Sequence, residues 1–552
     1  MPDPEALASC SLGDEALSRG DLAGAVRAYR RALAASPFPE ASNNLGNALM
    51  ALGDLTGALA AYLDADCPEA WINASVAARA LGDTGRASDL LQKALRAQPG
   101  NPLAYTALGN LLKDLGRIDA ALACHREAQA LDPADPVPMG NLAYLRAFDP
   151  EASAGDILQE ARNFDRVHAR DLGGEPPTPR PGPRLRIGYV SPDFRYHCQA
   201  FFTLPLFAHH DRAAFAIHAY SSVQRPDAVT ERLRASCDVW RDCAGLPDGD
   251  LARIIREDGI DVLVDLTMHM AGGRPLLFAR RPAPVQVAWL AYPGTTGLSA
   301  MDYRITDPFL DPPGVTEDAY AERSVRLPHT FWCYHPLAGE PDPGPLPALA
   351  AGHVTFGCLN NPCKVNPAVL ALWERVLQAV PGSRLRLMAH PGSHRQLILD
   401  AFADPSRIDF TPFLSRRDYL EQYRSIDLCL DTFPYNGHTT SLDAFWMGVP
   451  VVTRVGATVV GRAGWSQLQN LGLPGLAAWD DDAFVEIAAS HAGDLPRLGA
   501  LRAGLRARME ASPLMDAEGF TRDLEDAYRR MAGFHPLHPV HPFPSPFPQG
   551  QG

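Results

Sequence analysis

No stretch of this 552-residue chain approaches the ~20 uninterrupted apolar residues that a membrane span requires, and no long run of Lys and Arg appears. The N-terminal MPDPEALASCSLGDE is acidic and lacks a basic segment followed by an apolar core, so it does not read as a targeting leader. A formal net charge of -14 argues against nucleic acid or an anionic membrane as the main partner. The ten cysteines are scattered and form no Cys-x-x-Cys pair. The closest are Cys358 with Cys363 and Cys237 with Cys243, so reduced thiols are expected in place of zinc ligands or disulfides. These absences together predict a cytoplasmic protein.

What the chain does have is bulk. With 46% hydrophobic and 21% charged residues it can bury more than one core, and its length predicts three or four domains of ~150 residues. The first of them repeats itself. Gly20, Gly53, Gly82 and Gly116 are spaced by 33, 29 and 34 residues, and each is followed by an alanine at Ala25, Ala58, Ala87 and Ala121. Tyr29, Tyr62, Leu91 and His125 come next, then Ala32, Ala65, Ala94 and Ala128, then Pro37, Pro68, Pro99 and Pro133. This layout predicts a helix, a tight turn at glycine, a second helix whose alanines permit close approach, and a proline that ends the unit. It resembles the tetratricopeptide repeat, with NNLGNALMALGD and TALGNLLKDLGR as first helices and VPMGNLAYLRAFD closing the stack. The third unit is short, and His125 replaces the usual aromatic. Such a solenoid offers a groove for a peptide, or else serves as a spacer or a homodimerisation arm.

From Leu185 the texture changes to short apolar runs alternating with amphipathic segments. LRIGYVSPDF and DVLVDLT read as strands, AVTERLRASC and DLARIIREDG as helices. A Pro/Gly-rich stretch at 336–352 precedes a second such block. The expected organisation is repeats over 1–150, a linker helix and Pro-rich collar over 151–184, and an α/β domain over 185–335. A linker over 336–352, a second α/β domain over 353–533 and a disordered Pro-rich tail over 534–552 follow. Alternation of this kind implies parallel sheets covered on both faces. Two in tandem predict a ligand between them, at the C-terminal ends of the strands.

Three stretches carry candidate chemistry. In DTFPYNGHTTSLDAFWMG a buried strand runs through a short turn into a helix. Thr440 and Asp443 have the spacing of a variant capping box, which does not account for His438. The free N–H groups, the hydroxyls of Thr439 and Thr440 and an imidazole at a helix N-terminus suit a diphosphate. In FGCLNNPCKVNPAVLALW, Lys364 follows a strand and precedes a helix, where a fixed ammonium can neutralise a departing phosphate. In RIGYVSPDFRYHCQAFF, His197 follows the first strand of the first α/β domain. Taken singly, Lys364 reads as a solvated surface lysine and His197 as a satisfied polar residue.

Together with RRPAPVQVAWLAYPGTTGLSAMDYRITDP, these stretches resemble the protein O-linked N-acetylglucosamine transferases and their plant relatives that transfer fucose. The resemblance implies a tetratricopeptide superhelix followed by a GT-B type pair of Rossmann-like domains with a nucleotide sugar between them. It implies an acceptor peptide entering along the repeats and an inverting displacement by a Ser/Thr hydroxyl. No metal cofactor is expected, in keeping with the lack of a convincing Asp-x-Asp motif. On this resemblance Lys364 binds the diphosphate, with Thr439, Thr440 and His438 beside it, and Asp443 holds sugar or ribose hydroxyls. His197 falls on the active-site histidine, whose role as general base is disputed. Asn361 lies near the donor, Arg416 stands for a ribose-binding lysine, and Tyr419 takes the place of a histidine against the uracil. The His and Asp of NGHTTSLD favour UDP-N-acetylglucosamine over UDP-glucose or GDP-fucose. The competing expectation is a repeat-based interaction protein with an inactive transferase domain.

Overall fold

A computed structural model describes residues 2–180, 182–337 and 339–533; the tail expected to be disordered, 534–552, lies outside the described residues. By packing, the chain divides into two compact units. One holds the residues up to Pro138 together with Ala389–Asp400, the other Met139–Met388 together with the described residues from Ala401 on.

The first unit is built from four helix pairs: α1 (Pro4–Ser18) with α2 (Leu22–Ala35), α3 (Pro39–Leu52) with α4 (Leu55–Ala65), α5 (Pro68–Ala80) with α6 (Thr84–Ala97), and α7 (Pro102–Asp114) with α8 (Ile118–Leu131). The four spaced glycines make the turns, at φ of 77°, 86°, 80° and 73°, backbone that a residue with a Cβ adopts only with strain. In the first three pairs the aspartate after that glycine caps the second helix: Asp21, Asp54 and Asp83 each accept an N–H from three residues on. The short spacing from Gly53 to Gly82 is taken up in the second pair by α4, which ends at Asp66 in the left-handed region.

Each pair is also locked by one interdigitation. A Cβ on Gly13 would lie 2.5 Å from the Tyr29 ring, one on Gly46 2.4 Å from Tyr62, and one on Gly109 2.7 Å from His125. In the third pair the buried Ser75 and Leu91 take these places. The Tyr29 hydroxyl donates to Asp14 at 2.7 Å and the Tyr62 hydroxyl to Asn47 at 2.8 Å, in each case the residue after the glycine. His125 is wholly buried, with no partner for either ring nitrogen. Burial, with a smaller push from Lys113, drives its pKa down to about 4.

A histidine whose folded pKa lies below its unfolded value costs stability as the pH falls, because the unfolded chain takes up the proton first. Stability of the repeat unit is therefore expected to drop between pH 6.5 and 4, by up to about 3 kcal/mol. His125→Tyr, whose hydroxyl would point towards Asn110 as its counterparts point to Asp14 and Asn47, is expected to stabilise the unit and flatten this dependence. Thermal melts of both proteins at pH 7.5 and 4.5 check it; equal pH sensitivity would contradict the assignment.

Helix α9 (Pro136–Leu145), expected to close the repeats, crosses the break between the units. Its later residues pack with the second unit: Tyr144 on Tyr292 with ring centroids 5.2 Å apart, and nearby Phe148 stacked on Tyr435 at 4.5 Å. Helix α10 (Ala154–Phe164) follows.

The rest of the second unit holds two parallel sheets. The first comprises β1 (Leu185–Ser191), β2 (Phe215–Ser221), β3 (Val239–Asp242), β4 (Val262–Asp265), β5 (Val285–Ala288), β6 (Tyr303–Thr306) and β7 (Arg323–Arg326). Their order is β3-β2-β1-β4-β5-β6-β7. The second comprises β8 (Thr355–Cys358), β9 (Arg384–Met388), β10 (Ile408–Thr411), β11 (Leu428–Leu430), β12 (Val451–Arg454) and β13 (Ala477–Ala478), in the order β10-β9-β8-β11-β12-β13. Every residue of β2, β4, β8 and β11 is buried, as expected of strands covered on both faces. In each sheet the strand order reverses at one place, between β1 and β4 and between β8 and β11. The connections to either side of such a point run off opposite faces and leave a crevice above the strand ends.

Candidate functional site

The candidate residues collect at these two reversals. β8 and β11 are adjacent, with Phe356 opposite Leu428 and Gly357 opposite Cys429, so the loops that follow them emerge side by side. One loop is a tight turn, Pro362–Lys364. Its Lys364 Nζ donates to the Asn436 carbonyl at 2.7 Å and sits 4.3 Å over the centroid of the Tyr435 ring. Burial pushes the Lys364 pKa below the usual lysine value, although Asp431 pulls the other way. No carboxylate lies within ion-pair distance of this ammonium among the described residues.

The other loop, Asp431–His438, is fixed from beneath. Asp431 Oδ1 accepts from the N–H groups of Thr432 (2.8 Å) and Gly437 (2.7 Å), and its Oδ2 accepts from the Thr453 hydroxyl at 2.8 Å. Asn436 is fully buried and donates to the Thr432 carbonyl at 2.8 Å. A side chain on Gly437 would collide with Ser441 Oγ, 2.2 Å from the position its Cβ would take, so only glycine brings the backbone this close.

The helix Thr439–Trp446 begins here, and no side chain caps it. This corrects the capping box expected from Thr440 and Asp443. The Thr440 hydroxyl instead donates to Asn360 Oδ1. Asp443 is buried against four donors: Arg416 Nη1 at 2.7 Å, Arg416 Nη2 at 2.8 Å, the Tyr334 hydroxyl at 2.8 Å and the Tyr419 hydroxyl at 3.2 Å. Both its oxygens are thus engaged by Arg416, Tyr334 and Tyr419. The first turn of the helix keeps its N–H groups without a side-chain cap, an arrangement suited to an anion. Thr439 is its first residue and is half-buried.

The His438 ring lies 5.0 Å from Tyr435 and 5.3 Å from Trp332. Burial and then the Lys364 charge hold its pKa well below the usual value, so it is a neutral imidazole at pH 7. Its Nε2 is buried with no partner among the described residues. Arg416 also donates to Glu340 at 2.9 Å and lies 4.4 Å over the Phe201 ring. Burial opposes its charge, yet Asp443, Tyr334 and Glu340 raise its pKa. The Tyr419 hydroxyl meets that of Tyr423 at 2.8 Å.

His197 lies in the loop after β1, at the other reversal. The two halves meet there: Cys198 is within electrostatic reach of both Lys364 and Asp443, and Tyr196 of Arg416 and Asp443. Burial lowers the His197 pKa, while Asp193 opposes that shift. The ring is neutral at pH 7 and able to accept a proton.

Asn361 is the candidate placed differently from its neighbours. It is exposed, and its side chain accepts the Cys363 N–H at 3.1 Å. The adjacent Asn360, which sequence reasoning passed over, is buried and ties Thr432 (3.0 Å) to Thr440. Tyr334, Trp332 and Asn436 were likewise missed. No helix among the described residues is long and apolar enough to cross a membrane, and all ten cysteines are free.

Tetratricopeptide repeat profiles match residues 10–75 and 78–142. A mutant of the Thermobaculum terrenum O-GlcNAc transferase superposes with a TM-score of 0.83 at 35% identity, over 96% of this chain and 98% of that one. The Petunia hybrida protein named "Probable UDP-N-acetylglucosamine--peptide N-acetylglucosaminyltransferase SPINDLY" is 42% identical over 363 residues, 64% of this chain and 39% of that one. The Caenorhabditis elegans UDP-N-acetylglucosamine--peptide N-acetylglucosaminyltransferase is 27% identical over 494 residues, 67% of this chain and 43% of that one. The chain thus spans about two-fifths of the length of the curated relatives it matches. The profile of glycosyl transferase family 41 covers residues 167–335 and 346–524, both sheets and every candidate residue, and the chain belongs to that family.

Proposed function

We propose that this chain is an inverting glycosyltransferase that moves N-acetylglucosamine from UDP-N-acetylglucosamine to Ser/Thr hydroxyls of proteins, with the repeats recruiting the acceptor. The observation that carries the reading is the half-buried Lys364, whose ammonium is bonded to the loop that opens into the uncapped helix Thr439–Trp446. A nucleoside diphosphate placed there meets the lysine, the first-turn N–H groups, the Thr439 and Thr440 hydroxyls and His438 Nε2. The acceptor oxygen attacks the anomeric carbon from the face opposite the diphosphate, the bond from that carbon to phosphate breaks, and the nucleotide leaves carrying the electron pair. His197 takes the hydroxyl proton. Lys364 and the helix N-terminus supply the positive charge that a divalent metal supplies in other transferases, so no metal is needed. Arg416 and Tyr419, held by Asp443, form the wall on the nucleoside side.

The names of the relatives favour N-acetylglucosamine as the sugar and a peptide as the acceptor; the same site in principle admits UDP-glucose or GDP-fucose. Calorimetric titration is expected to show UDP binding and GDP not, and UDP release from UDP-N-acetylglucosamine with acceptor peptide is expected to persist in EDTA. Tight GDP binding without a UDP signal would reverse the donor assignment. Absence of UDP release with any peptide would favour the interaction-protein reading.

A further inference from the structure

Asp193 is an acidic side chain beside the site with no role in the reaction as described so far. It is 8% exposed, two residues past the end of β1, and its N–H donates to the Ser191 hydroxyl at 2.9 Å. That hydroxyl donates to Gln199 Oε1 at 3.3 Å, and Gln199 Nε2 donates to the Leu266 carbonyl at 2.7 Å, just past β4. The loop carrying His197 is thereby stitched across the β1/β4 reversal, with Asp193 at its base. Arg195 Nη2 donates to Asp193 Oδ1 at 3.2 Å, which turns Oδ2 towards His197 Nδ1, 3.6 Å away.

We propose that Asp193 is a positioning residue for His197: its carboxylate selects the tautomer protonated on Nδ1, directs Nε2 at the acceptor hydroxyl, and steadies the imidazolium that forms. The proposal rests on the reading of His197 as proton acceptor. Two tautomers compete at Nδ1. In one, Nδ1 accepts the Gln199 N–H across 3.4 Å, a long neutral contact, and Nε2 carries the proton. In the other, Nδ1–H faces the Asp193 carboxylate at 3.6 Å, longer than a hydrogen bond, where the negative charge favours an N–H over a lone pair. The second leaves Nε2 free to take the acceptor proton as the new carbon–oxygen bond forms; the proton later passes to water and the nucleotide departs. The charged groups facing the ring are Asp193 and Arg195, and the Cys198 sulfur lies 3.8 Å from each ring nitrogen.

The test is Asp193→Asn in the full chain, alone and combined with His197→Ala. Asp193→Asn is expected to lower kcat about 100-fold, in the range of a general base's contribution, with the donor KM and UDP affinity within twofold of wild type. Removing the negative charge disfavours the imidazolium, so the acid limb of kcat/KM moves to lower pH. In the His197→Ala background Asp193→Asn is expected to add no further loss, because the two act as one unit. Asp193→Glu, which keeps the charge, is expected to retain more turnover than Asp193→Asn, and serves if the latter folds poorly. An unchanged kcat and pH profile in Asp193→Asn, or an equal loss in both backgrounds, overturns the proposal. Near-wild-type turnover in His197→Ala removes its premise, an outcome separate from either.

Discussion

Lys364→Met is expected to lower turnover by about 10³-fold, the scale found when one donor to a developing anion is removed, while the protein unfolds at the same temperature as wild type or slightly above. The side chain is nearly isosteric, and the Asn436 carbonyl it leaves sits in a loop already fixed by Asp431. Lys364→Arg is expected to rescue little. The ammonium fits between a carbonyl 2.7 Å away and a ring face 4.3 Å away, whereas a guanidinium is broader and planar. Steady-state kinetics with a melting curve decide the matter. Turnover within threefold of wild type in Lys364→Met would falsify the leaving-group role.

Asp443→Asn is expected to destabilise the second unit by about 1.5–3 kcal/mol, the range for bonds to a charged group, because Arg416 loses one carboxylate and keeps Glu340. The Arg416 side chain is 14% exposed and that of Asp443 3%, so water cannot replace the lost carboxylate. Arg416→Met alone is expected to be costly too, since it strands Asp443 against two tyrosine hydroxyls. The double change Arg416→Met with Asp443→Leu is expected to recover only part of the loss, because it leaves the buried Glu340 without its guanidinium. Urea unfolding of wild type, Arg416→Met, Asp443→Leu and the double change gives the coupling energy. Additive losses would show that the pair does not act as a unit. Donor binding is expected to stay weak in all three, because the wall on the nucleoside side is gone even where the fold returns.

The repeats and the two sheets were legible because their signals are local: a glycine that must turn, a proline that must start a helix, an apolar run too short for anything but a buried strand. The capping box misled for the same reason. Asp443 follows Thr440 at a capping distance, but its partners Arg416 and Tyr334 lie 27 and 109 residues away in sequence, and no local spacing reports them. Asn360 and Asn361 differ by one position, yet the side chains of adjacent residues point in different directions at a strand end, so which of the two faces the Thr440 loop depends on where β8 stops. Two signals were available and unused. The residue before each of Tyr29, Tyr62 and His125 by the same spacing is glycine, which foretells the interlock of each pair. The lysines of the chain are Lys93, Lys113 and Lys364; the first two pair with Asp66 and Asp114 in the repeats. From residue 151 on, Lys364 is the one lysine among arginines, a compact charge in place of a broad planar one.

That lysine is bonded to a carbonyl and not to a carboxylate, so its full charge is available before the donor arrives and remains after the sugar has gone. The force that eases bond breaking therefore also retains the spent nucleotide, which carries more negative charge on its terminal phosphate than the intact donor does. On the proposed reaction, product departure is then expected to be the slow event of the cycle, and a burst of product in the first turnover would reveal it.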